Sequence, residues 1–457
     1  MLSCYDIFRI AKQKGIEKSA RIHLEIVYFS VSWMLSEIGK VYLVGRSPPV
    51  PQGRKLGDAR MGIPYRVHVV TDTKEGGQKL KKRLYICLLL ALGISGLMSG
   101  YGKDFGKRTE INSHDEESRA EEEMVKEETV NGKESRDQNA IRITPTSEVR
   151  ELETGLSIVR YEGEYGFDAF LEQGGAGSDA DVAAYITSLL DQEIRMEGSP
   201  FGCSTLSVKS QTGGYLFGRN FDWNTCNGWI VSARPENGYA SVSTVNMDFI
   251  RAGGVDLSQL PDSAQAFVSL YAPLDGMNEK GLAVSVNMIQ DSPGISQDSG
   301  KPSLTTTTAV RLLLDRAADV EEALELLQQY DFHSSMGMMV HLAIADADGR
   351  SVAVEYVNHE MVVIETPVVT NFYLASGEKQ GIGTAQSHTR YEILTGTLEE
   401  QEEMTETGVR DALDSVSKDN FGEFESTEWS IVMNQETKEL IYYHRENYGR
   451  AYVVPVE

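Results

Sequence analysis

Cys203 is followed by Arg219 and Asp222, sixteen and nineteen residues further on, with Gly213 and Gly214 between them. A β-hairpin turning at that glycine pair returns both charged residues beside the cysteine. A thiol becomes a nucleophile at neutral pH when a cation favours the thiolate, a base takes the proton and a carboxylate orients the base. Arg219 supplies the cation and Asp222 the carboxylate, but the hairpin holds no base. A cut between Gly202 and Cys203 would supply one, because a free α-amine has an ordinary pKa of about 7.7–8.0 and can accept the proton of its own side-chain thiol. Gly202, without a side chain, leaves the preceding carbonyl open to the Cys203 sulfur. Taken alone, a cysteine at the start of a strand is more often a small buried hydrophobe.

Other chemistries lack their residues. The eight histidines form no HExxH pair, and the chain has no CxxC spacing, no GxxxxGK[ST] loop and no GxSxG elbow. Metal, nucleotide and α/β-hydrolase chemistry therefore fall away, and no cofactor or metal is expected. A net charge of −25 argues against a nucleic-acid partner, which would need clustered Lys and Arg. Four cysteines are too few for a disulfide scaffold. With 457 residues, 41% of them hydrophobic, the chain can bury a large core.

The hairpin needs elements to hold it. Upstream, Ser178 and Asp181 form a capping box for a helix reaching Met196, with Val182, Tyr185, Ile186, Leu189, Leu190 and Ile194 on one face. Gly198 to Gly202 ends it. The period then becomes two, with strands at 203–208 and 215–220 and further strands at 283–287, 338–345, 352–357, 361–365, 429–433 and 440–443. Asn278 to Gly281 and Asp348-Gly349 read as turns. Helices are expected at 306–317 and 320–330, with weaker helical patterns at 390–394 and 409–416. Strands in blocks and helices in blocks indicate an α+β layered fold rather than a βαβ parallel sheet.

The front of the chain differs in composition. Residues 1–100 carry a charge of +9 and the remainder −34. Lys79, Lys81, Lys82 and Arg83 precede an apolar run from Leu84 to Leu97, the pattern of an export signal, or of a membrane anchor over 84–100 if it is retained. Lys74-Glu75-Gly76 can be encoded by a ribosome-binding sequence, so residues 1–79 read as an upstream or mis-assigned extension and 80–101 as the signal. Met98 to Tyr101 resembles a lipoprotein signal but has Tyr101 where the lipid-bearing cysteine belongs. Residues 102–140 are an acidic linker too poor in apolar side chains to order itself. Residues 141–202 then read as a propeptide with one helix, and 203–457 as the catalytic domain.

From Cys203 to Trp223 the sequence resembles the N-terminal hairpin of the choloylglycine hydrolase family, the linear amide C–N hydrolases. Four later blocks follow in order: Asp275 to Asn287, Val368 to Asn371, Ser387 to Tyr391 and Glu428 to Asn434. The resemblance covers residues 203–457 and implies an N-terminal-nucleophile hydrolase with a four-layer αββα sandwich of two mainly antiparallel sheets. By that resemblance Cys203 is the nucleophile and its freed amine the base. Asp222 holds the amine, and Arg219 stabilises the thiolate. Asn287 and Asn371 help form the oxyanion hole, and Arg390 braces Asp222 and Asn371.

Bile salt hydrolases expose their cysteine by losing only an initiator Met, whereas a long leader here requires autocatalytic cleavage at Gly202–Cys203, as in secreted penicillin acylases and lysosomal amidases. The expected enzyme is a secreted or surface-held hydrolase of a small N-acyl amide, such as a conjugated bile salt or penicillin V, and a homo-oligomer is compatible with the family. Two alternatives stand: an acyltransferase of the same fold, and a catalytically silent surface-associated binding protein.

Overall fold

The computed structural model describes residues 42–43, 69–70, 140–253, 256–291, 294–418 and 425–457. The chain divides into two compact units, Met1–Lys126 and Glu127–Glu457. In the first, Tyr42–Leu43 pairs antiparallel with Val69–Val70. The expected signal or anchor at 80–101 lies outside the described residues, as do the rest of 1–79 and the linker up to Ala140. Among the described residues no helix is long and apolar enough to cross a membrane.

The second unit is built on two large sheets. The first has nine strands. Edge to edge they are Glu360–Glu365, Ser351–Val357, Val340–Ala345, Ala283–Met288, Asp275–Asn278, Ser241–Asn246, Gly228–Arg234, Leu156–Glu162 and Arg150–Glu153. The second has eight. Val368–Val369, Gly202–Ser210, Tyr215–Trp223, Ser426–Asn434, Glu439–His444, Ala451–Pro455 and Ala140–Arg142 follow in order, and Glu403–Met404 also pairs with Gly202–Ser210. Most pairs are antiparallel. Leu156–Glu162 runs parallel to Gly228–Arg234, and Ala140–Arg142 runs parallel to Ala451–Pro455.

Helices close both outer faces. Thr306–Arg316 packs on Asp275–Asn278 and Ala283–Met288, and Asp262–Ser269 packs on Leu156–Glu162. On the other side Ala385–Glu400 covers Gly202–Ser210, while Glu406–Asp414 covers Tyr215–Trp223 and Ser426–Asn434. Ala283–Met288 and Gly202–Ser210 meet between the sheets. The fold is the α+β, four-layer αββα sandwich.

The second sheet is apolar on both faces because it separates two cores. Cys203, Phe217, Phe221, Trp429, Ile431 and Met433 point into the inter-sheet core. Leu206, Val208, Leu216 and Val432 point into the core shared with the covering helices. Alternate side chains leave a strand on opposite faces, so the central strands are buried at nearly every position, polar residues included.

The expected hairpin spans Gly202–Ser210 and Tyr215–Trp223, with Gly213 at φ 109° and Gly214 at φ 68° in its turn. The expected strands and the two central helices are present, within a few residues of their expected ends. The weaker helical patterns grow into Ala385–Glu400 and Glu406–Asp414.

The leader departs from expectation. Its Ser178-capped helix stops at Leu190, where Asp191 turns left-handed at φ 52°, and Ile194–Met196 becomes a strand paired with Ile250–Ala252. A second helix, Phe167–Glu172, precedes it, and three further leader strands join the two large sheets. Residues 141–202 thus hold far more structure than one helix.

The turn at Asn278 to Gly281 shows how a single polar side chain can organise the fold. Asn278 is fully buried, and its Oδ1 accepts from the Lys280 and Leu282 amides at 3.1 Å each. Its Nδ2 donates to the carbonyls of Leu314 and Ala317 at 3.1 and 2.7 Å, tying the helix end to the sheet. Asn278→Ala strands these buried groups and is expected to cost about 2–4 kcal/mol, read as a lower urea midpoint with an unchanged slope.

Candidate active site

Strand register places the polar residues. Gly202 lies opposite Asp222, Cys203 opposite Phe221 and Thr205 opposite Arg219. Neighbouring positions point to opposite faces, so Cys203 and Arg219 enter the inter-sheet core while Asp222 faces the helices. All three are fully buried.

On the inter-sheet side Arg219 Nη1 donates to Cys203 Sγ at 3.4 Å, and Sγ lies 3.4 Å from the carbonyl of Val286. Arg219 Nε sits 2.5 Å from Asp275 Oδ2, which also accepts from Trp429 Nε1 at 3.1 Å. The Trp429 ring stacks on Phe221 with centroids 4.0 Å apart, and Phe201 lies against the same phenyl ring at 5.3 Å. Burial pushes the Cys203 thiol above its ordinary range, and the Arg219 guanidinium opposes that push.

Peptide atoms of Cys203 are held separately. Its N–H donates to Asn371 Oδ1 at 2.8 Å, and its carbonyl accepts from Arg390 Nη1 at 2.9 Å. Arg390 also donates to Ser204 Oγ at 2.7 Å, to Asp222 Oδ2 at 2.9 Å and, through Nη2, to Asn371 Oδ1 at 2.7 Å. Asn371 is anchored in turn: its own N–H donates to Ser387 Oγ at 2.6 Å and its Nδ2 to the Met288 carbonyl at 2.6 Å.

Asp222 Oδ1 accepts from Thr427 Oγ1 at 2.8 Å, and Lys418 Nζ stands 3.6 Å from Oδ2. A Cβ on Gly202 would lie 2.9 Å from both Asp222 Oδ2 and Lys418 Nζ, so only glycine fits there.

Cys203, Arg219, Asp222, Asn371 and Arg390 thus form one connected group around the Gly202–Cys203 peptide. In this uncut chain the Cys203 N–H goes to Asn371 rather than to Asp222. Asn287, next to Val286, accepts from Ser285 Oγ at 2.9 Å and donates at 3.3 Å to the Val369 carbonyl. The side-chain amides of Asn287 and Asn371 therefore both face backbone carbonyls, the first through a long bond.

Sequence reasoning gave no role to Asp275, Ser204, Lys418 or Thr427. Asp275 is an acid at the start of a fully buried strand, but its partner Arg219 lies on the other sheet. Cys226 is a free, buried thiol. Among the described residues no group of three or more His, Cys, Asp or Glu could hold a metal ion.

A thiol touching a guanidinium, three bonds from the nitrogen of a peptide whose neighbouring atoms are fixed, is a geometry suited to acyl transfer. Comparison with known proteins agrees with that chemistry. The family model for linear amide C–N hydrolases, choloylglycine hydrolase family, matches residues 203–372. Penicillin V acylase of Pectobacterium atrosepticum is 32% identical over 99 residues, which cover 20% of this chain and 26% of that protein, about a quarter of its length.

Among solved structures, a mutant of the conjugated bile acid hydrolase from Clostridium perfringens is similar at 18% identity and TM-score 0.42, covering 55% of this chain and 92% of that one. Penicillin V acylase from Agrobacterium tumefaciens is similar at 20% identity and TM-score 0.39, covering 53% and 83%.

The Arg219–Asp275 pair is wholly buried on both sides. Asp275→Ala leaves an uncompensated guanidinium and is expected to cost about 3–5 kcal/mol in urea unfolding, whereas Arg219→Met with Asp275→Leu should recover most of that loss.

Proposed function

We propose that this chain, whose residues 203–372 are choloylglycine hydrolase family sequence, is the precursor of a cysteine amidase that cuts itself at Gly202–Cys203. The observation that carries the reading is the treatment of Cys203: its sulfur, its N–H and its carbonyl are each bound by a different buried polar side chain, Arg219, Asn371 and Arg390. A structural cysteine needs partners for its backbone groups, but it needs no guanidinium at its sulfur.

In the first step the Cys203 thiolate attacks the Gly202 carbonyl carbon. The C–N bond breaks, the Gly202 acyl group passes to sulfur as a thioester, and the Cys203 nitrogen leaves as an amine after taking up a proton. Water then hydrolyses the thioester to the Gly202 carboxylate and a free thiol. In the mature enzyme the α-amine takes the thiol proton and the thiolate attacks the carbonyl of an N-acyl amide. The amine product leaves protonated, and water releases the acid.

Arg219 steadies the thiolate. Asn371 and Asp222 hold the new ammonium from two sides, and Arg390 fixes both. The Asn287 Nδ2, which donates to the Val369 carbonyl only through a long bond while its Oδ1 accepts from Ser285, is the donor most readily turned to an oxyanion. The substrate is a small acyl amide of the kind hydrolysed by penicillin V acylases and bile acid hydrolases. The basic-then-apolar stretch from Lys79 to Leu97 supports export of the precursor.

The leader remains bound after the cut. Leu156–Glu162 pairs over its whole length with Gly228–Arg234, and Ala140–Arg142 pairs with Ala451–Val453. Leu156, Ile158, Val159, Phe167, Phe170, Val182 and Ile186 contribute to the main core. Losing the leader would expose this apolar surface.

Intact mass and N-terminal sequencing test the cut: a fragment starting at Cys203 is expected from the wild type and an uncut chain from Cys203→Ala. An uncut wild type would move the silent binding protein ahead. The two fragments are expected to co-elute on size exclusion and to separate only in denaturant; a free 203–457 fragment would refute leader retention. Hydrolysis of an acyl-amide panel, with and without an added amine, separates hydrolase from acyltransferase.

A further inference from the structure

The strand Val340–Ala345 is apolar except for His341, and Ser351–Val357 carries Glu355 among valines, alanine and tyrosine. Both side chains are fully buried. His341 Nδ1 lies 3.1 Å from Glu355 Oε1, and Nε2 lies 2.7 Å from the carbonyl oxygen of Thr370. Glu355 in addition accepts the N–H of Leu374 on Oε1 at 2.7 Å and that of Ala375 on Oε2 at 2.9 Å.

A carbonyl oxygen is only an acceptor, and a carboxylate taking two amide N–H bonds is one as well. Both ring nitrogens therefore face acceptors. A neutral imidazole has one N–H and would leave a lone pair against an oxygen, an expensive contact where no water reaches. The doubly protonated ring satisfies every group, and its charge is balanced by the adjacent carboxylate. His341 and the backbone amides also hold the Glu355 carboxyl below its usual range, against the opposing effect of burial. Among the described residues, buried Tyr373 also faces Glu355, and beyond it stand Asp291 and Lys379, which pair with one another.

The pair grips one turn at both ends. Thr370 immediately precedes Asn371, and Leu374 and Ala375 follow it three and four residues on. Asn371 Oδ1 is the acceptor for the Cys203 N–H. Opposite His341 on the neighbouring strand stands Asn287, whose amide reaches the Val369 carbonyl one residue further back.

We propose that the buried His341–Glu355 ion pair is a positioning device that aims Asn371 at the Cys203 nitrogen, with His341 held as an imidazolium. The role in cleavage rests on the self-processing reading; the protonation and the grip do not.

Two measurements test it. In uncut Cys203→Ala protein labelled with ¹⁵N-histidine, His341, assigned through His341→Phe, is expected to show two slowly exchanging ring protons at pH 7–8 that are lost in Glu355→Gln. A single ring proton would overturn the imidazolium.

In the full chain, His341→Phe is expected to slow Gly202–Cys203 cleavage by about 10–100-fold, since small misplacements of reacting groups cost that much. His341→Gln, which can still donate to Thr370, should recover part of the loss. Wild-type cleavage in His341→Phe would overturn the positioning role. If the wild type itself does not cleave, the self-processing reading falls, and hydrogen exchange in the Cys203→Ala chain decides alone. Faster exchange of the amides at positions 203 and 371 in Cys203→Ala with His341→Phe than in Cys203→Ala supports the grip, and unchanged exchange there overturns it.

Discussion

The ion pair between Arg219 and Asp275 joins the two sheets at their centre. Its members belong to different sheets and are fully buried, so removing either leaves the other without its compensating charge. The same guanidinium reaches the Cys203 sulfur, and the same carboxylate takes the Trp429 indole N–H. The spacing of the sheets, the stack of Trp429 on Phe221 and the environment of the thiol are therefore set by one contact. Two apolar faces can slide over one another; a buried ion pair with fixed hydrogen-bond directions cannot.

The second sheet lets the site be addressed from two sides. Because Gly202–Ser210 and Tyr215–Trp223 separate two cores, the sulfur and Arg219 lie in one environment and Asp222, Arg390, Ser204 and Lys418 in another. The peptide backbone of Cys203 runs between them. Charges that would neutralise one another in a single pocket are kept apart by one strand's thickness, and Arg390 reaches round to the Cys203 carbonyl and to Asn371.

Local chemistry was readable in the sequence and distant pairing was not. The hairpin could be read because alternation and a Gly-Gly turn specify register within twenty residues. Asn278 to Gly281 could be read because a turn with Gly281 at φ 88° has few solutions. Ala385–Glu400 was legible only near Arg390, since its buried residues are few: Ser387, Arg390 and Leu394. The leader helix was read too long because Ile194 falls at helical spacing, and only the left-handed turn at Asp191 removes it. His341 and Glu355 each look like an isolated polar residue among apolar neighbours, and Asp275 like a strand-end acid. What they hold lies on another strand or loop, and one chain carries no record of which strands become neighbours.

The groups that bind Cys203 and the residues bracing them come from far along the chain, from Ser204 to Thr427, and Ala140–Arg142 is pinned by strand Ala451–Pro455. Pairings over such separations form late, since their loop-closure entropy must be offset first. A chain stalled before residue 371 holds Cys203 and Arg219 together in one hairpin but lacks the Asn371 acceptor and the Arg390 donor. The full set of bonds around this peptide is thus assembled only after the chain has passed Thr427, and that order is written in topology rather than in any one residue.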